Sequence, residues 1–395
     1  MPLKGIRVLD MSRVVAAPTV ALVLGDLGAE VIKLEHPRRG DDTRDWGAGM
    51  GEKQTAYFNS VNRNKRSIGV DIQTPEGVDL VRRLAAVSDV VVQNFKVGAA
   101  DRLGVGDKQL RAVNPGLIYC SISGYAVDSE EAERPGYDLV AQAEAGVMAL
   151  NGEPGRPLLK LGMAAVDMFT GMYAAQAVLA ALYERHSTGR GRRIEMALYE
   201  CGVMLTTYYG LESLLTGQEP QRYGNLHPSI VPYGVFDAKD GPLVVAVGNN
   251  GQFVRFCIDV LELPHLAEDE RFKTNVLRAT NRAVLEPIVQ QALRERPRAQ
   301  LLDRLNAAGI PCGEVLSLLE SLHSPRMQAS GLITQMPHPE LGSIPVYRSP
   351  YRFDGSPLPV RYAPPMLGAH TQEVLEELLG LDAQAQSALR DKGAI

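Results

Sequence analysis

Gly5-Ile-Arg-Val-Leu-Asp10 and Glu30-Val-Ile-Lys-Leu-Glu35 are two short apolar strands, and between them residues 18–28 carry Ala-Leu-Val-Leu-Gly-Asp-Leu in a helical run. Strand, helix and strand in so short a span make one parallel βαβ unit, because parallel strands need a crossover and a helix supplies it. The pattern repeats downstream. Arg66-Ser-Ile-Gly-Val-Asp71 reads as a strand. Thr74-Pro75-Glu76 then starts a helix over 78–87 with a cap, a proline at the first position and an acid in the first turn. Asp89-Val-Val-Val-Gln93 is a strand, residues 103–113 a helix, and Leu117-Ile-Tyr-Cys-Ser-Ile122 a strand. This alternation predicts an α/β fold with a Rossmann-like, doubly wound sheet.

Farther along, Lys160-Leu-Gly-Met-Ala-Ala-Val-Asp167 delivers one carboxylate onto a run with no charged residue from Met168 to Tyr183. A segment apolar on nearly every side reads as a buried helix. Asp167 then sits where solvent is scarce and helical N–H groups point outward, which suits a helix N-cap or a reacting carboxylate. Arg185-His-Ser-Thr-Gly-Arg-Gly-Arg-Arg193 reads as a solvated turn, with no helix start behind it to make an anion cup. Arg193-Ile-Glu-Met-Ala197 is a strand, 216–225 a linker, and Gly241-Pro-Leu-Val-Val-Ala-Val247 a strand of different surroundings. We expect a large domain over 1–200, a linker over 201–224 and a smaller α/β domain over 225–308. A second linker over 309–328 leads to residues 329–395, which complete the large domain.

Composition narrows the class. Hydrophobic residues make up 45% of the 395-residue chain and charged ones 22%, which describes a soluble globular protein long enough for two domains. Net charge is −5, with no basic run to track a phosphate backbone, so nucleic acid is not expected as a partner. Four cysteines lie far apart without CxxC spacing, which argues against a metal site or a disulfide framework. The first residues lack an apolar signal region and the longest apolar stretches carry Gly, Gln or Asp, so a cytoplasmic protein with no membrane partner is expected. Glu35 ends the second strand, as in dinucleotide folds. However, Met11-Ser-Arg-Val-Val-Ala-Ala-Pro18 lacks the GxGxxG that lets a pyrophosphate approach, so a nicotinamide enzyme is a weak alternative. No GxSxG elbow supports a serine hydrolase.

Several motifs in order carry a resemblance. They are Leu3-Lys-Gly-Ile-Arg-Val-Leu-Asp10, Gly25-Asp-Leu-Gly-Ala-Glu-Val-Ile-Lys-Leu-Glu35, Gly40-Asp-Asp-Thr-Arg44, Asn62-Arg-Asn-Lys-Arg-Ser67 and Asn94-Phe95. Asp101-Arg-Leu-Gly104, Thr170-Gly171 behind Asp167, Gly309-Ile-Pro-Cys-Gly313 and Ala363-Pro-Pro-Met-Leu-Gly-Ala-His-Thr371 follow. Together they resemble the class III CoA-transferases, the CaiB/BaiF family, over nearly the whole chain. The resemblance implies an interlocked homodimer, coenzyme A and its thioesters as substrates with no prosthetic group, and a small carboxylic acid as the other partner. It implies that Asp167 attacks a thioester, giving an aspartyl anhydride and then an aspartyl-CoA thioester.

By the same resemblance CoA lies along Val14, Arg38, Val70, Gln73, Asn94, Phe95 and Arg102. Each has a plainer reading: core packing for Val14 and Val70, an Asx turn for Asn94, a solvated helix start for Arg102. Tyr137, in Pro135-Gly-Tyr-Asp138, stands where family racemases carry a histidine base. A tyrosine abstracts protons poorly near neutral pH, so an α-methylacyl-CoA racemase is the alternative reading. Val15 stands where oxalate-using members carry glutamine, which argues against oxalate. The remaining likeness is to members that move CoA between dicarboxylates, with succinyl-CoA as donor and itaconate, mesaconate, malate, citramalate or glutarate as acceptor. Arg44 or His227 would meet the second carboxylate, and the loop at Gly248 and Asn249 would supply oxyanion donors or a lid.

Overall fold

The computed structural model describes residues 1–395. Six parallel strands form the main sheet: β1 (Arg7–Asp10), β2 (Glu30–Glu35), β3 (Lys65–Gly69), β4 (Val90–Gln93), β5 (Ile118–Ser123) and β6 (Arg193–Ala197). Their order is β3-β2-β1-β4-β5-β6, the doubly wound arrangement in which the direction of strand addition reverses between β1 and β4. Alternation along the strands divides the core. Val8, Val31, Val90, Val92 and Ile118 face one layer, built on helices Ala16–Asp26 and Ala165–Thr188. Leu9, Ile32, Ile68, Val91 and Tyr119 face the other, with Leu80 and Leu84 of helix Pro75–Ala86 and Val374 of helix Thr371–Leu379. Strands buried on both faces by helices read as near-continuous apolar runs, as β4 does, whereas β2 and β3 carry buried charges.

Local signals set the element ends. Thr74 caps Pro75–Ala86 by accepting from the Gly77 N–H at 3.0 Å, with Pro75 at the helix start. Of the helix expected over 103–113 only Asp107–Val113 is helical; a separate turn of helix, Ala99–Arg102, precedes it, and Gly104 at φ +78° parts the two. The long helix Ala165–Thr188 buries one stripe, through Asp167, Thr170, Gly171, Ala174, Ala175, Val178 and Ala181. Tyr173 and Tyr183 are exposed, so the absence of charge after Asp167 overstated its burial.

The edge strand β3 is covered by the chain's own C-terminal part. His370 N–H donates to the Ser67 carbonyl at 2.9 Å, and Gly69 N–H donates to Thr371 Oγ1 at 3.0 Å. Arg66 pairs with Glu373 and Glu377, and Asp71 N–H donates to the Ala394 carbonyl.

The chain divides into two compact units. The first comprises Met1–Val147, Lys160–Gly210 and Pro325–Ile395; the second comprises Met148–Leu159 and Leu211–Ser324. The expected small domain, 225–308, lies inside the second unit, which also takes residues on both flanks and the distant 148–159. That unit holds an antiparallel sheet of β7 (Tyr233–Ala238), β8 (Gly241–Ala246) and β9 (Cys312–Glu314). Leu285, Val289 and Leu293 of helix Arg282–Arg294 share its core with Phe236, Leu243 and Val245.

Candidate active site

Asp167 lies in the first turn of helix Ala165–Thr188 with 7% of its surface exposed. The N-cap is Ala164, which offers no side-chain acceptor. The missing cap comes from elsewhere: Asp138 Oδ1 accepts the N–H groups of Val166 at 2.8 Å and Asp167 at 3.2 Å. Asp138 is fixed in turn by Gln142, whose Nε2 donates to Asp138 Oδ2 at 2.6 Å. Gln142 is fully buried and its Oε1 accepts from Leu161 N–H. Burial, and then the nearby Asp138 charge, push the Asp167 carboxyl up to about 7. Near neutral pH it is therefore poised between acid and carboxylate, and its ionised form is poorly solvated and more basic than a surface aspartate. Gly171 brings this helix against the first one. A Cβ there would stand 2.5 Å from the Ala16 carbonyl oxygen and 2.6 Å from Thr19 Cβ.

Asp167 opens into a cleft at the carboxyl ends of the strands, where the direction of strand addition reverses. Open α/β sheets bind ligands at this place. Residues 13–16 after β1, 94–97 after β4 and 122–124 at the end of β5 line it, with Tyr137 and Leu198. Val14 sits at φ +72°, a left-handed conformation that costs a β-branched residue on the order of 1–3 kcal/mol. Helix Ala16–Asp26 begins at the cleft, and its N-cap Val15 provides no side-chain acceptor for the first N–H groups. Arg13 and Lys96 are the cleft's basic residues besides Arg134; Arg13 pairs with Asp42 at 3.1 Å, and Arg134 is engaged by Glu131 and Glu144. Tyr57 lies close enough to Asp167 and Asp138 that, after burial, their charges raise its hydroxyl's pKa.

The model of the CoA-transferase family III matches residues 3–371. Succinyl-CoA:glutarate CoA-transferase of Homo sapiens is 39% identical, over 100% of this chain and 90% of its own. Succinate–glutarate CoA-transferase of Agrobacterium fabrum is 38% identical over 97% of each chain. A solved CAIB/BAIF family protein from Brucella suis superposes with a TM-score of 0.84 at 40% identity, covering 96% of this chain and 99% of that one. The chain belongs to CoA-transferase family III. It is a CoA-transferase, and the fold is that of its family.

The structure brings Asp167, Tyr137, Val14, Asn94 and Phe95 of this CoA-transferase into one cleft. Asn94 is less free than its position suggests: Oδ1 accepts from Arg13 N–H at 2.9 Å and Nδ2 donates to the Arg13 carbonyl at 2.8 Å. Arg38, Gln73 and Arg102 lie outside the cleft lining but follow the carboxyl ends of β2, β3 and β4, with exposed side chains. Val70 is 1% exposed and packs in the core with Ile68 and Leu80, so its side chain offers no contact surface to a ligand.

Arg44 requires correction as a substrate ligand. It is buried, its guanidinium holds both oxygens of Glu35 at 2.7 Å, and it stacks 3.7 Å over the Phe58 ring. This pair also removes Glu35 from any dinucleotide role. His227, in the second unit, is corrected as a cation. Its Nδ1 accepts from Ser229 and Ile230 N–H groups, and burial and then the Arg282 charge hold its pKa below the usual value. The ring is thus neutral, with a donor only at Nε2. Also in that unit, Gly248 N–H donates to Gln252 Oε1 at 2.8 Å and Asn249 caps helix Asn250–Arg255, so this loop closes on itself. Asp138, Arg13, Lys96 and Tyr57 were missed as site residues. Asp138 alone left a signal, an acid directly before an apolar helical run.

Proposed function

We propose that this enzyme moves CoA from succinyl-CoA to a small dicarboxylate, with glutarate as the first acceptor to test. The observation that carries the reading is a single buried carboxylate with raised pKa, Asp167, at the floor of a cleft on the carboxyl edge of the sheet. Support for the acceptor comes from the relatives, whose names state succinyl-CoA and glutarate in one and succinate and glutarate in the other.

In this reading Asp167 adds to the thioester carbonyl. The tetrahedral oxyanion is met by the uncapped N–H groups at the start of helix Ala16–Asp26, where backbone donors and the helix dipole favour negative charge. Collapse expels CoA thiolate and leaves a mixed aspartyl anhydride. The thiolate then attacks the aspartyl carbonyl, releasing the donor acid and leaving an aspartyl-CoA thioester. The acceptor carboxylate attacks that thioester, forming a second anhydride, and returning thiolate yields the new acyl-CoA and free Asp167. Every step trades one acyl bond for another, so no water is consumed and the cleft must keep water out.

Coenzyme A, as substrate, runs from the cleft along the carboxyl edge toward Arg102, Arg38 and Gln73, whose exposed side chains suit phosphate and ribose. Arg13 and Lys96 replace Arg44 and His227 as the cations nearest the reacting end. Incubation with succinyl-CoA and a panel of mono- and dicarboxylates, followed by chromatography of the CoA esters, tests the proposal. Glutaryl-CoA formed by wild type and absent with Asp167→Ala supports it. Loss of α-deuterium from a branched acyl-CoA without exchange would replace it by a racemase.

A further inference from the structure

Two lysines and two aspartates are wholly enclosed beneath the cleft. Lys33 Nζ donates to Asp41 at 2.9 Å, Lys65 Nζ donates to Asp10 at 2.9 Å, and no side chain of the four has exposed surface. A buried ion pair is weak evidence of stability, since desolvation costs about as much as the attraction returns. Such a cluster calls for another account.

What the four charges hold is one turn of chain. Asp10 Oδ1 accepts both the N–H (3.0 Å) and the hydroxyl of Ser12. Lys33 donates to the Ser12 carbonyl at 2.8 Å. Asp41 accepts the Val14 N–H on both oxygens, at 3.2 and 3.3 Å, and is itself steadied by Thr43. Lys65 reaches past the turn to the Pro18 carbonyl at 3.0 Å, and to Asn62 Oδ1. Asn94 takes both backbone groups of Arg13. From the Ser12 N–H to the Val14 N–H, every backbone polar group is thus bound by a side chain: Asp10, two residues earlier, for the Ser12 N–H, and Lys33, Asn94 and Asp41, from other parts of the first unit, for the rest. Lys65 fills its three donor positions with three acceptors, which favours the ammonium form even though burial draws its pKa down to about 8.

The same turn lines the cleft and contains the left-handed Val14. A β-branched residue does not hold that conformation unless its surroundings impose it. We propose that the pairs Lys33–Asp41 and Lys65–Asp10, with Ser12, are positioning residues that preset the turn at residues 12–16 for the CoA thioester. This rests on the functional reading above and adds the device that shapes its site. It also accounts for separate stretches of sequence: Asp10 at the end of β1, Lys33 within β2, Asp41 and Lys65 meet only here.

The test uses full-length protein, free CoA as probe in titration calorimetry, and melting temperature as a control. A turn that is competent in about a tenth of molecules binds about tenfold more weakly. Asp41→Asn, which keeps an acceptor for Val14 but unpairs Lys33, is expected to lose about that factor in affinity. In the Asp41→Asn/Val14→Gly double variant most of the loss is recovered relative to Val14→Gly alone, since glycine takes positive φ without support. Ser12→Ala leaves all four charges paired, so it folds whatever Asp41→Asn does, and is expected to bind about threefold more weakly. A Ser12→Ala protein with wild-type affinity overturns the proposal, as does an Asp41→Asn protein that melts earlier yet binds CoA as wild type does. Wild-type protein that takes up no CoA overturns the functional reading and this inference with it; unchanged variants of a binding wild type overturn this inference alone.

Discussion

Asp167→Asn keeps the shape of the side chain and removes a charge that its surroundings disfavour. Raising the carboxyl from 3.8 to about 7 corresponds to about 4 kcal/mol against the ionised form in the folded protein. The helix N-terminus favours the charge by only about 0.3–1 kcal/mol, so the penalty wins. A folded pKa above the unfolded one means that the native state binds more protons between about pH 4 and pH 7. Wild-type stability therefore falls as pH rises through that window, whereas the asparagine variant escapes the fall. With relaxation absorbing about half of the penalty, roughly 2 kcal/mol remains, or about 2–4 °C in melting temperature at pH 8 for a chain of this length. Thermal denaturation of both proteins from pH 5 to pH 8.5 is the assay, alongside CoA-ester exchange. The gap should widen up to about pH 7 and then level off, while exchange falls by about 10³-fold or more. A variant that melts at or below wild type at pH 8, or a gap independent of pH, would refute the reasoning.

Asp138→Asn retains an oxygen for the Val166 and Asp167 N–H groups but removes the neighbouring charge. The rising limb of kcat/KM against pH should move about one unit toward acid, and an unmoved limb would show that burial alone sets the acidity of Asp167. Arg44→Met strands Glu35 in the core and should cost about 3–5 kcal/mol in urea denaturation. A variant that keeps wild-type stability and only raises KM would restore Arg44 as a substrate ligand. Gly171→Ala forces a methyl against the Ala16 carbonyl, and a loss of about 1–3 kcal/mol with lowered exchange is expected. The homodimer expected from the sequence is open to light scattering, which should give twice 42.9 kDa, and a monomer at micromolar concentration would exclude it.

Periodicity made the sheet legible, because strands such as Val90–Gln93 have no polar face and the helices between them announce their caps at Thr74-Pro75. Asp167 stood out because one carboxylate precedes a long uncharged run. The role of its partner did not: Asp138 is marked as an acid before an apolar helical run, but it acts on backbone N–H groups 28 and 29 positions away, and such contacts leave no mark on local pattern. Arg44 misled for a related reason. Arginine is usually a surface residue, and only the fold shows Glu35 and Phe58 closing around it. Lys33 in β2 and Lys65 at the start of β3 stand 32 positions apart, and nothing in their local pattern joins them in one cluster. The left-handed backbone at Val14 could not be read at all. A valine at positive φ is chosen by its surroundings and by nothing in its own chemistry.

The covering of β3 by the C-terminal part sets a clock on synthesis. Asn64 and Arg66 find their partners 297 to 311 residues later in the chain. At roughly 5–20 residues per second, the ribosome adds that stretch in about 15–60 s. Throughout that interval the nascent sheet has strands to pair and one flank without its seal, and an unsealed flank is a template for other chains. The final hydrogen bonds of the first unit thus form last in time as well as in sequence, and a chain released early would leave that flank open.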